Sequence, residues 1–578
     1  MPSRSFDEPK KARCRSLFFN GSLILGSINL ANHFCVNPKK ESRWTLFFNG
    51  FAILGMFLLT VTYFYVTIYS NDMSERNILD EIVNRRKSDI EQLGWEFGFD
   101  IPETRQRSVH SFFSSKGVIL EVKRASPSKG DIAPDLDSAA TALSYAKAGA
   151  AAISCLTETN YFKGTLGDLM KVCAAVDSFE KESGHSGPAV LRKDFLIDEK
   201  EIEIAYRAGA DAVLLISRIL PTEKMISMAK KCQELGITAL VELRLEEDVD
   251  KLGEVLKFVD KKYIACGVNS RDLATFTIDL LTPCKMLKKI RSVLGQDARV
   301  IFESGIRTPQ STAFVGSLGF AGMLLGEAAA KNPQVREELV RSFVDSKETA
   351  NARFWNNFAS DNGDRDNCSK TLVKICGLTN KDDAEAAAKL GADFLGFIFW
   401  KKSPRAAATS LITNCELSIT NCIKVAVIVD PDDAEAQTAI RLVKEGKLDV
   451  IQLHTIACAR KFLANPEYRV LPHYATINIS CEEDIKLLDE LFDMGEPRVL
   501  VDAQTAGKIG GTGKQISPDL VAKVQKKYKL WLAGGVTPEN VTEIISTYKP
   551  ELIDCASGVE AEPGKKDISK LENFFKEI

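Results

Sequence analysis

The sequence predicts an α/β protein made of two tandem (β/α)8 barrels, which follow a hydrophobic N-terminal leader. Between residues 117 and 327, a short apolar strand, a polar loop and a helical stretch recur eight times, which is typical of a closed parallel barrel. After a polar segment, the same alternation begins again and recurs eight more times. A doubly wound open sheet also alternates strands with helices, and it is the competing fold.

The strands of the first barrel are predicted from short runs rich in Val, Ile, Leu and Ala. These runs are GVILEVKR (117–124), AAISCLTE (151–158), AVLRKDF (189–195), DAVLLIS (211–217), TALVELR (238–244), YIACGVN (263–269), RVIFESG (299–305) and AGMLLGE (321–327). Intervening stretches such as PTEKMISMAKKCQELG show helical periodicity and end in Gly, as many helices do. We expect this barrel to cover residues 73–346.

The second barrel is predicted in the same way, after a polar stretch without periodicity that indicates a linker, with room for some helix, over residues 347–370. Its strands are expected at TLVKICG (371–377), DFLGFIF (393–399), KVAVIVD (424–430), DVIQLH (449–454), YRVLPHYA (468–475), RVLVDAQ (498–504), LWLAGG (530–535) and LIDCASG (552–558). We expect this barrel to cover residues 371–578.

The leader, residues 1–72, contains a long uncharged stretch. The 27 residues from Trp44 to Ser70 carry no charge, which is enough to cross a hydrocarbon layer about 30 Å thick. Because basic residues precede it, the stretch 44–70 is a candidate transmembrane segment or an uncleaved targeting signal. The alternative is that the leader is absent from the mature protein or reflects a mis-assigned start, since Met73 opens an amphipathic stretch that suits a natural N-terminus. Only residues 44–70 offer a route to membrane association.

The composition is that of a multidomain globular protein. The 578 residues carry a net charge of -3, so nothing indicates nucleic acid as a partner. The 14 cysteines include no C-x-x-C pair, and the five histidines show no metal-ligand spacing. We therefore expect reduced thiols, cytoplasmic catalytic barrels, and neither a metal nor an organic cofactor.

Polar and ionisable side chains are concentrated at the C-terminal ends of the first-barrel strands, which share one mouth in this fold. They are Glu121, Lys123, Glu158, Lys193, Asp194, Glu242, Asn269, Arg271, Glu303 and Ser304. Glu121 and Lys123 are two residues apart and therefore lie on the same face of their strand. Close carboxylates and ammonium groups shift each other's pKa values, so the cluster predicts proton transfer. For any single residue, a structural salt bridge at the rim is the alternative interpretation.

Glycines follow the last two strands of the first barrel, at Gly305 in ESGIRTP and at Gly326 in GMLLGEAAA. Glycine lets backbone N–H groups approach an anion closely, and a helix N-terminus follows. Phosphate commonly binds after strands seven and eight in this fold, so the positions predict a phosphate site.

The motifs EVKRASPSKG, LTETNYFKGTLGDL, LRKDFLID, GVNSRDL and ESGI resemble indole-3-glycerol phosphate synthase over about residues 74–346. The resemblance implies an enzyme that cyclises, decarboxylates and dehydrates a carboxyphenylamino-deoxyribulose phosphate. It implies Lys193 as the general acid on the ketone, Lys123 as the cation that holds the carboxylate, and Glu242 as the acid/base of the dehydration. Supporting polar residues are implied at Glu121, Asn269, Glu303 and Ser304, and substrate contacts at Ser126, Phe162, Gly305 and Gly326. Which lysine acts at which step stays open.

The second barrel begins with LVKICGLT, where Cys376 ends a strand, and VLVDAQ places Asp502 at the end of the sixth strand. Taken alone, a strand-end cysteine is more often a core residue. With FIFWKKSPR, LAGGVTPENV and ASGVEAEPGKKD, these segments resemble phosphoribosylanthranilate isomerase over residues 371–578. The resemblance implies Cys376 as the general base at C2, Asp502 as the general acid at the ring oxygen, and Arg405 as the contact for the anthranilate carboxylate. It implies a phosphate cradle at Gly534, Gly535, Ser557 and Gly558.

Several positions depart from these families. QLHTIA lacks the Gly that usually follows His454, and GGTGKQISPDL lacks the usual aromatic-Asp-Trp. Glu327 stands where some relatives carry serine near the phosphate. A thiolate base at Cys376 also needs a lowered pKa, for which Lys374 or Arg405 would supply positive charge.

The two resemblances together predict a bifunctional tryptophan-biosynthesis enzyme that acts on phosphosugar–anthranilate substrates, with the second barrel working first. One alternative is a pair of phosphosugar barrels of histidine biosynthesis, which use aspartates as acid and base. Another is a membrane-tethered phosphosugar-barrel protein with only one active barrel. The presence of Lys123, Lys193, Glu242, Cys376 and Asp502 favours the bifunctional enzyme.

Overall fold

A computed structural model of the chain describes residues 79–127, 129–271, 277–362, 370–413, 419–503 and 516–578. Within these ranges, the strands form two closed eight-stranded parallel barrels, one after the other along the chain. This closure confirms the predicted fold and excludes the doubly wound open sheet. No helix in the described part of the chain is long and apolar enough to span a membrane. The leader and its candidate transmembrane segment, 44–70, lie outside the described residues.

The first barrel is preceded by a helix, α1, that covers residues 79–93. Its strands are β1 (Gly117–Val122), β2 (Ala152–Leu156), β3 (Ala189–Lys193), β4 (Ala212–Ile216), β5 (Thr238–Leu243), β6 (Ile264–Asn269), β7 (Val300–Glu303) and β8 (Gly322–Leu325). Its further helices are α2 (Ser138–Lys147), α3 (Leu166–Ser183), α4 (Glu199–Arg207), α5 (Thr222–Leu235), α6 (Glu246–Leu256), α7 (Thr282–Leu294), α8 (Pro309–Ser317), α9 (Glu327–Lys331) and α10 (Arg336–Val344). Strand β1 pairs with both β2 and β8, which closes the ring.

The second barrel follows a connecting helix, α11 (Ala350–Asn362). Its strands are β9 (Leu372–Cys376), β10 (Phe394–Ile398), β11 (Ile423–Ile428), β12 (Val450–His454), β13 (His473–Ile479), β14 (Val499–Ala503), β15 (Trp531–Ala533) and β16 (Leu552–Cys555). Its helices are α12 (Lys381–Leu390), α13 (Thr409–Thr413), α14 (Ala434–Lys444), α15 (Ile456–Ala464), α16 (Ile485–Asp493), α17 (Pro518–Gln525), α18 (Val541–Tyr548) and α19 (Ile568–Lys576). Strand β9 pairs with both β10 and β16.

The barrel strands are buried on both faces, which explains why they read as nearly continuous apolar runs. In β1, Val118 and Leu120 pack outward in the large core cluster, whereas Ile119 belongs to the interior cluster with Leu191 and Leu240. Because side chains alternate along a strand, Glu121 continues the inward series that Ile119 begins. The alternation therefore turns the polar residues at the strand ends toward the barrel mouth.

The fifth strand of the second barrel differs from its prediction. YRVLPHYA was expected to be extended from residue 468, but β13 begins at His473 and continues to Ile479. The preceding residues form turns, in which the N–H of Leu471 donates to the carbonyl of Tyr468. Pro472 has no N–H for the ladder, although its carbonyl accepts from Ile451. The prediction was wrong because an apolar run of this length does not by itself mark where pairing starts.

The segment between the barrels contains the packed helix α11, where a polar linker was expected over 347–370. Trp355 is fully buried and lies 6.0 Å, between ring centroids, from Trp531 at the start of β15. Phe358 lies 6.3 Å from Phe394, at the start of β10. The helix therefore covers the N-terminal end of the second barrel, the end opposite to its strand-end polar residues.

Candidate active sites

The mouth of the first barrel holds a cavity of about 450 Å³. It is lined by most of the residues that the sequence singled out: Glu121, Lys123, Ser126, Phe162, Lys193, Asp194, Glu242, Asn269, Arg271, Ser304, Gly305 and Gly326. Glu303 adjoins this group, because its carboxylate lies 3.7 Å from the Lys193 ammonium. The strand-end positions are thus gathered around one space.

Glu158 is the exception among the strand-end carboxylates, since it is not one of the residues that line the cavity. Its carboxylate accepts the backbone N–H groups of Asn160, Tyr161 and Phe162, at 2.8, 2.6 and 2.9 Å. Glu158 therefore orders the loop that brings the Phe162 ring toward Phe195, with ring centroids 6.1 Å apart. The expectation that Glu158 faces the pocket was wrong, because both of its carboxylate oxygens accept hydrogen bonds from backbone N–H groups of its own loop.

Glu121 lies at the centre of the charged group in the first barrel. It is 1% exposed and accepts hydrogen bonds from Lys123 Nζ at 2.8 Å and from Lys193 Nζ at 3.0 Å. Burial opposes ionisation of Glu121, but the two ammonium groups outweigh it and lower its pKa to about 2. A permanently ionised carboxylate therefore holds both lysines in place.

Lys193 is protonated in this site. Burial favours its neutral amine, but Glu121, Glu303 and Glu242 outweigh that effect and raise its pKa. The cation is thus available to donate a proton or a hydrogen bond to a substrate oxygen. The same carboxylates stabilise the protonated form of Lys193. We therefore expect Lys193 to donate its proton most readily once the charges of the bound substrate have changed the surroundings of the ammonium group.

Glu242 and Glu303 form a pair of carboxyl groups with raised pKa values. Burial raises the pKa of Glu242 to about 8, helped by the neighbouring Glu303 and opposed by Lys193. Burial also raises the pKa of Glu303. Close like charges cannot both ionise readily, so this pair retains a proton at neutral pH and can act as a general acid.

Two glycines make room for this charged group. A Cβ at Gly267 would lie 2.1 Å from Glu303 Oε1, and one at Gly326 would lie 2.7 Å from Glu121 Oε1. Nearby, Ser304 has a φ of 72°, a left-handed conformation that is uncommon outside glycine, and Gly305 follows with a φ of 85°. Strained backbone of this kind is concentrated at functional sites, and here it turns the end of β7 into the cavity.

Glu327 lines the cavity where relatives were expected to carry a serine. Burial opposes its ionisation, but hydrogen bonds from Lys129 and Lys331 lower its pKa to about 2. The carboxylate is therefore charged but paired with two cations, which reduces its repulsion of an incoming anion.

In the second barrel, Cys376 ends β9 and is 7% exposed. A Cβ at Gly396 would lie 2.7 Å from its Sγ, so the glycine leaves room for the thiol. Burial raises the pKa of the Cys376 thiol, although the Lys374 ammonium opposes this. Lys374 is itself paired with Asp554, and Arg405 is paired with Glu560 at 2.7 Å. The lowered thiol pKa that a resting thiolate would need is therefore not found, because burial outweighs the Lys374 charge.

Asp502 ends β14 and shares two charged neighbours with Cys376. Burial raises its pKa to about 6, helped by Asp554 and opposed by Lys374. Lys374 and Asp554 also act on the Cys376 thiol, so the cysteine and the aspartate belong to one site. An aspartate that titrates near neutrality can give up a proton there.

Asp554 and His454 were not assigned a role from sequence. Asp554 is the penultimate residue of β16 and binds Lys374 through one oxygen, while its buried Oδ1 has no hydrogen-bond partner among the described residues. Burial, with the Lys374 charge, lowers the pKa of His454 to about 4, so its ring is neutral. The signal for Asp554 is an acidic residue near the end of an apolar strand, in LIDC. Thr455 follows His454 with a φ of 141°, where the usual glycine is missing.

The glycines after the last two strands of the second barrel bring two loops together. Gly534 and Gly535 have φ values of 93° and 66°. A Cβ at Gly558 would lie 2.0 Å from the carbonyl oxygen of Val536, so only glycine allows this approach. Ser557 begins a short 3-10 turn beside them. The arrangement presents backbone to the barrel mouth at the expected phosphate position.

Two family models match the chain. Residues 79–342 match indole-3-glycerol phosphate synthase, and residues 373–577 match N-(5′-phosphoribosyl)anthranilate (PRA) isomerase. These ranges contain every residue placed in the two sites above.

Several known proteins are similar to the chain. A multifunctional tryptophan biosynthesis protein of Schizosaccharomyces pombe is 32% identical over 501 residues, which cover 80% of this chain and 60% of that protein. The tryptophan biosynthesis protein TRP1 of Phytophthora nicotianae is 29% identical over 552 residues, which cover 87% of this chain and 96% of the relative. A crystal structure of monomers of dimeric phosphoribosylanthranilate isomerase from Thermotoga maritima is 30% identical, covers 36% of this chain and 98% of that chain, and has a TM-score of 0.29. The chain thus spans about 60% of the length of the S. pombe relative.

Proposed function

This chain belongs to the indole-3-glycerol phosphate synthase and phosphoribosylanthranilate isomerase families, with one domain of each, and we propose that its two barrels catalyse consecutive steps of tryptophan biosynthesis. The second barrel isomerises N-(5-phosphoribosyl)anthranilate to 1-(2-carboxyphenylamino)-1-deoxyribulose 5-phosphate. The first barrel converts this product to indole-3-glycerol phosphate. The observation that carries the proposal is the convergence of Lys123, Lys193 and Glu242 on one cavity.

In the first barrel, Lys193 supplies the proton when the ring closes. The aromatic carbon that bears the carboxylate attacks the ketone carbon, and the ketone oxygen takes a proton from the Lys193 ammonium. A cationic acid suits this step because it stabilises the negative charge that develops on oxygen. Lys123 holds the substrate carboxylate until the carbon–carbon bond breaks and its electron pair returns to the ring.

The dehydration that follows uses the pair of raised carboxyls. Glu242 gives its proton to the departing hydroxyl, which leaves as water, and a base then removes a proton from the adjacent ring carbon. The pKa of about 8 supports this role, because the acid form of Glu242 predominates at neutral pH. Glu121, Asn269, Glu303 and Ser304 position the lysines and the substrate.

In the second barrel, Asp502 protonates the furanose ring oxygen as the ring opens, and Cys376 removes the proton from C2. The raised thiol pKa means that the base is the fraction of Cys376 that has already lost its proton to solvent. Arg405 faces the anthranilate carboxylate, and the loops of Gly534, Gly535, Ser557 and Gly558 hold the phosphate. Opening the ring creates positive charge on nitrogen, which favours loss of the C2 proton.

The described cysteines carry no disulfide, and nine of these ten thiols are buried. Free thiols suit a reducing compartment, so we place the catalytic barrels in the cytoplasm. Any attachment to a membrane would involve residues 44–70.

The test is to give the purified chain each substrate separately and follow the products by mass spectrometry. Isomerisation changes retention time but not mass, whereas the synthase reaction removes one CO2 and one water. We expect both conversions from one chain. Activity of only one barrel would support the alternative of a protein with a single working site.

A further inference from the structure

The cavity of the first barrel is not lined by the first barrel alone. Five of its lining residues come from the second barrel: Asp489 and Phe492 of α16, and Lys526, Lys527 and Tyr528, which follow α17. The remaining lining residues lie between positions 79 and 327. The mouth where the synthase chemistry is proposed is therefore completed by the neighbouring barrel.

These second-barrel residues are held together by their own contacts. Lys527 Nζ lies 3.0 Å from Asp489 Oδ2, and the Tyr528 hydroxyl donates to the same carboxylate. The rings of Phe492 and Tyr528 have centroids 5.5 Å apart. A group braced in this way keeps its place at the rim instead of sampling many positions.

Ion pairs between the barrels fix this group against the first barrel. Arg307 Nε lies 2.9 Å from Asp493 Oδ1, at the end of α16, and the Thr308 hydroxyl donates to the Asp493 carbonyl. The buried Arg498 binds Asp279 of the first barrel at 2.8 Å. These contacts surround the rim residues and make the docking specific.

The second barrel approaches the side of the cavity where the phosphate is expected. Ile278 lines a small adjoining pocket with Phe492 and Tyr528. The same Ile278 packs against Gly305, since a Cβ on that glycine would lie 2.6 Å from its Cγ2. Gly305 is one of the residues implied in phosphate binding, so Phe492 and Tyr528, and with them the second barrel, meet the cavity on its phosphate side.

The cavity has an excess of positive charge, with nine lysines and arginines and six acidic residues in its lining. Lys527 is paired with Asp489, whereas the side chain of Lys526 makes no ion pair or hydrogen bond with the described residues. An exposed, unpaired cation beside a cleft of like sign attracts anions from solution and raises their rate of entry.

We propose that Lys526, a residue of the second barrel, helps to capture the anionic substrate of the first barrel. This inference rests on the proposed function, in which the substrate carries both a phosphate and a carboxylate. Lys526 acts before the chemical steps, by attracting the phosphate toward the end of the cavity near Gly305. The same molecule leaves the second barrel as product, so the lysine favours its uptake without a closed tunnel between the sites.

The test compares Lys526→Glu with the wild type and with Lys523→Glu, all in the full chain. Lys523 lies on α17, outside the cavity, and is paired with Glu482. The control therefore makes the same change of charge three residues away in the chain. At low ionic strength, we expect Lys526→Glu to lower kcat/KM for indole-3-glycerol phosphate formation by roughly three- to ten-fold, because KM rises. The difference should shrink as added salt screens the charge, and isomerisation should be unchanged.

A second readout uses inorganic phosphate as a competitive inhibitor of the synthase reaction, and its inhibition constant should rise in Lys526→Glu but not in Lys523→Glu. The inference is overturned if the two variants have equal kcat/KM at low salt, or if Lys526→Glu lowers kcat alone. A wild-type chain that forms no indole product would instead overturn the proposed function itself.

Discussion

The ammonium of Lys193 lies 3.0 Å from the carboxylate of Glu121 at the mouth of the first barrel. Glu121 is buried and ionised, so it holds the charge of Lys193 as well as that of Lys123. Removing the carboxylate would leave two ammonium groups without the charge that holds them together, which is costly in a protein interior. The three residues therefore act as a unit.

The first prediction concerns Lys193. Replacing Lys193 with Ala removes the proton donor, and we expect the rate of indole-3-glycerol phosphate formation to fall by about 10²- to 10⁴-fold. Isomerisation in the second barrel should be unaffected, because the residues of its own site, among them Cys376 and Asp502, do not line this cavity. The two rates are measured on the same preparation with separate substrates. If both fell together, the idea of independent sites would have to be abandoned.

The second prediction concerns the pH dependence of synthase activity. The rate should decline as the pH rises through about 8, because Glu242 then loses the proton that it gives to the leaving hydroxyl. In Glu242→Gln the residual rate should be low and should lack this decline. The full pH profile of kcat for both proteins makes the comparison, and parallel profiles would rule Glu242 out as the acid.

Glu242 also predicts how stability depends on pH. Its pKa is raised on folding, so its stabilising contribution is complete below the ordinary value of 4.5 and is lost as the pH rises through about 8. Gln at this position does not titrate. The free energy of unfolding of Glu242→Gln should therefore increase relative to that of the wild type as the pH rises from about 5 to about 9. Urea unfolding at a series of pH values measures this difference, and a constant difference would contradict the raised pKa.

The third prediction concerns Cys376. Because burial raises the pKa of the Cys376 thiol, and that of Asp502 to about 6, isomerisation should speed up as the pH rises to about 6 and then level off, since the thiolate fraction grows while the acid form of Asp502 declines. Cys376→Ser should reduce isomerisation strongly, since a hydroxyl is a weaker acid than a thiol and gives up its proton less readily. The control is the formation of indole-3-glycerol phosphate when 1-(2-carboxyphenylamino)-1-deoxyribulose 5-phosphate is supplied directly. An unchanged isomerisation rate would remove Cys376 from its proposed role.

The strands could be predicted from sequence because a parallel barrel buries both faces of each strand, which leaves an apolar run of the right length. The positions of Glu121, Lys123, Lys193 and Glu242 followed from the rule that strand ends share one mouth. Glu158 was misplaced because three backbone N–H groups of its own loop bind its oxygens, and such competition is invisible in a pattern. The pairing of Lys374 with Asp554 joins residues 180 positions apart.

Contacts between the barrels were the hardest feature to predict. Each barrel has a complete periodic pattern of its own, and nothing in that pattern says which helix docks where. Lys526 looks like any solvent-exposed lysine in the sequence, yet it lines the cavity of the other barrel. The sequence allows a partly helical linker at α11, but it does not indicate that the helix packs on the second barrel, because its few apolar residues, among them Trp355 and Phe358, are spread among polar ones.

The last prediction tests whether α11 is a structural element of the second barrel. Trp355 is fully buried against Trp531 and Phe358, so Trp355→Ala should leave a cavity and cost about 3–5 kcal/mol. Arg353, on the same helix with a side chain 58% exposed, gives the matched control, and Arg353→Ala should change stability by less than about 0.5 kcal/mol. Since the two barrels need not unfold together, loss of isomerase activity in urea reports on the second barrel alone. Its midpoint should move to lower urea in Trp355→Ala only. If both variants kept the wild-type midpoint, α11 would be a connection between the barrels that contributes little to the stability of the second barrel.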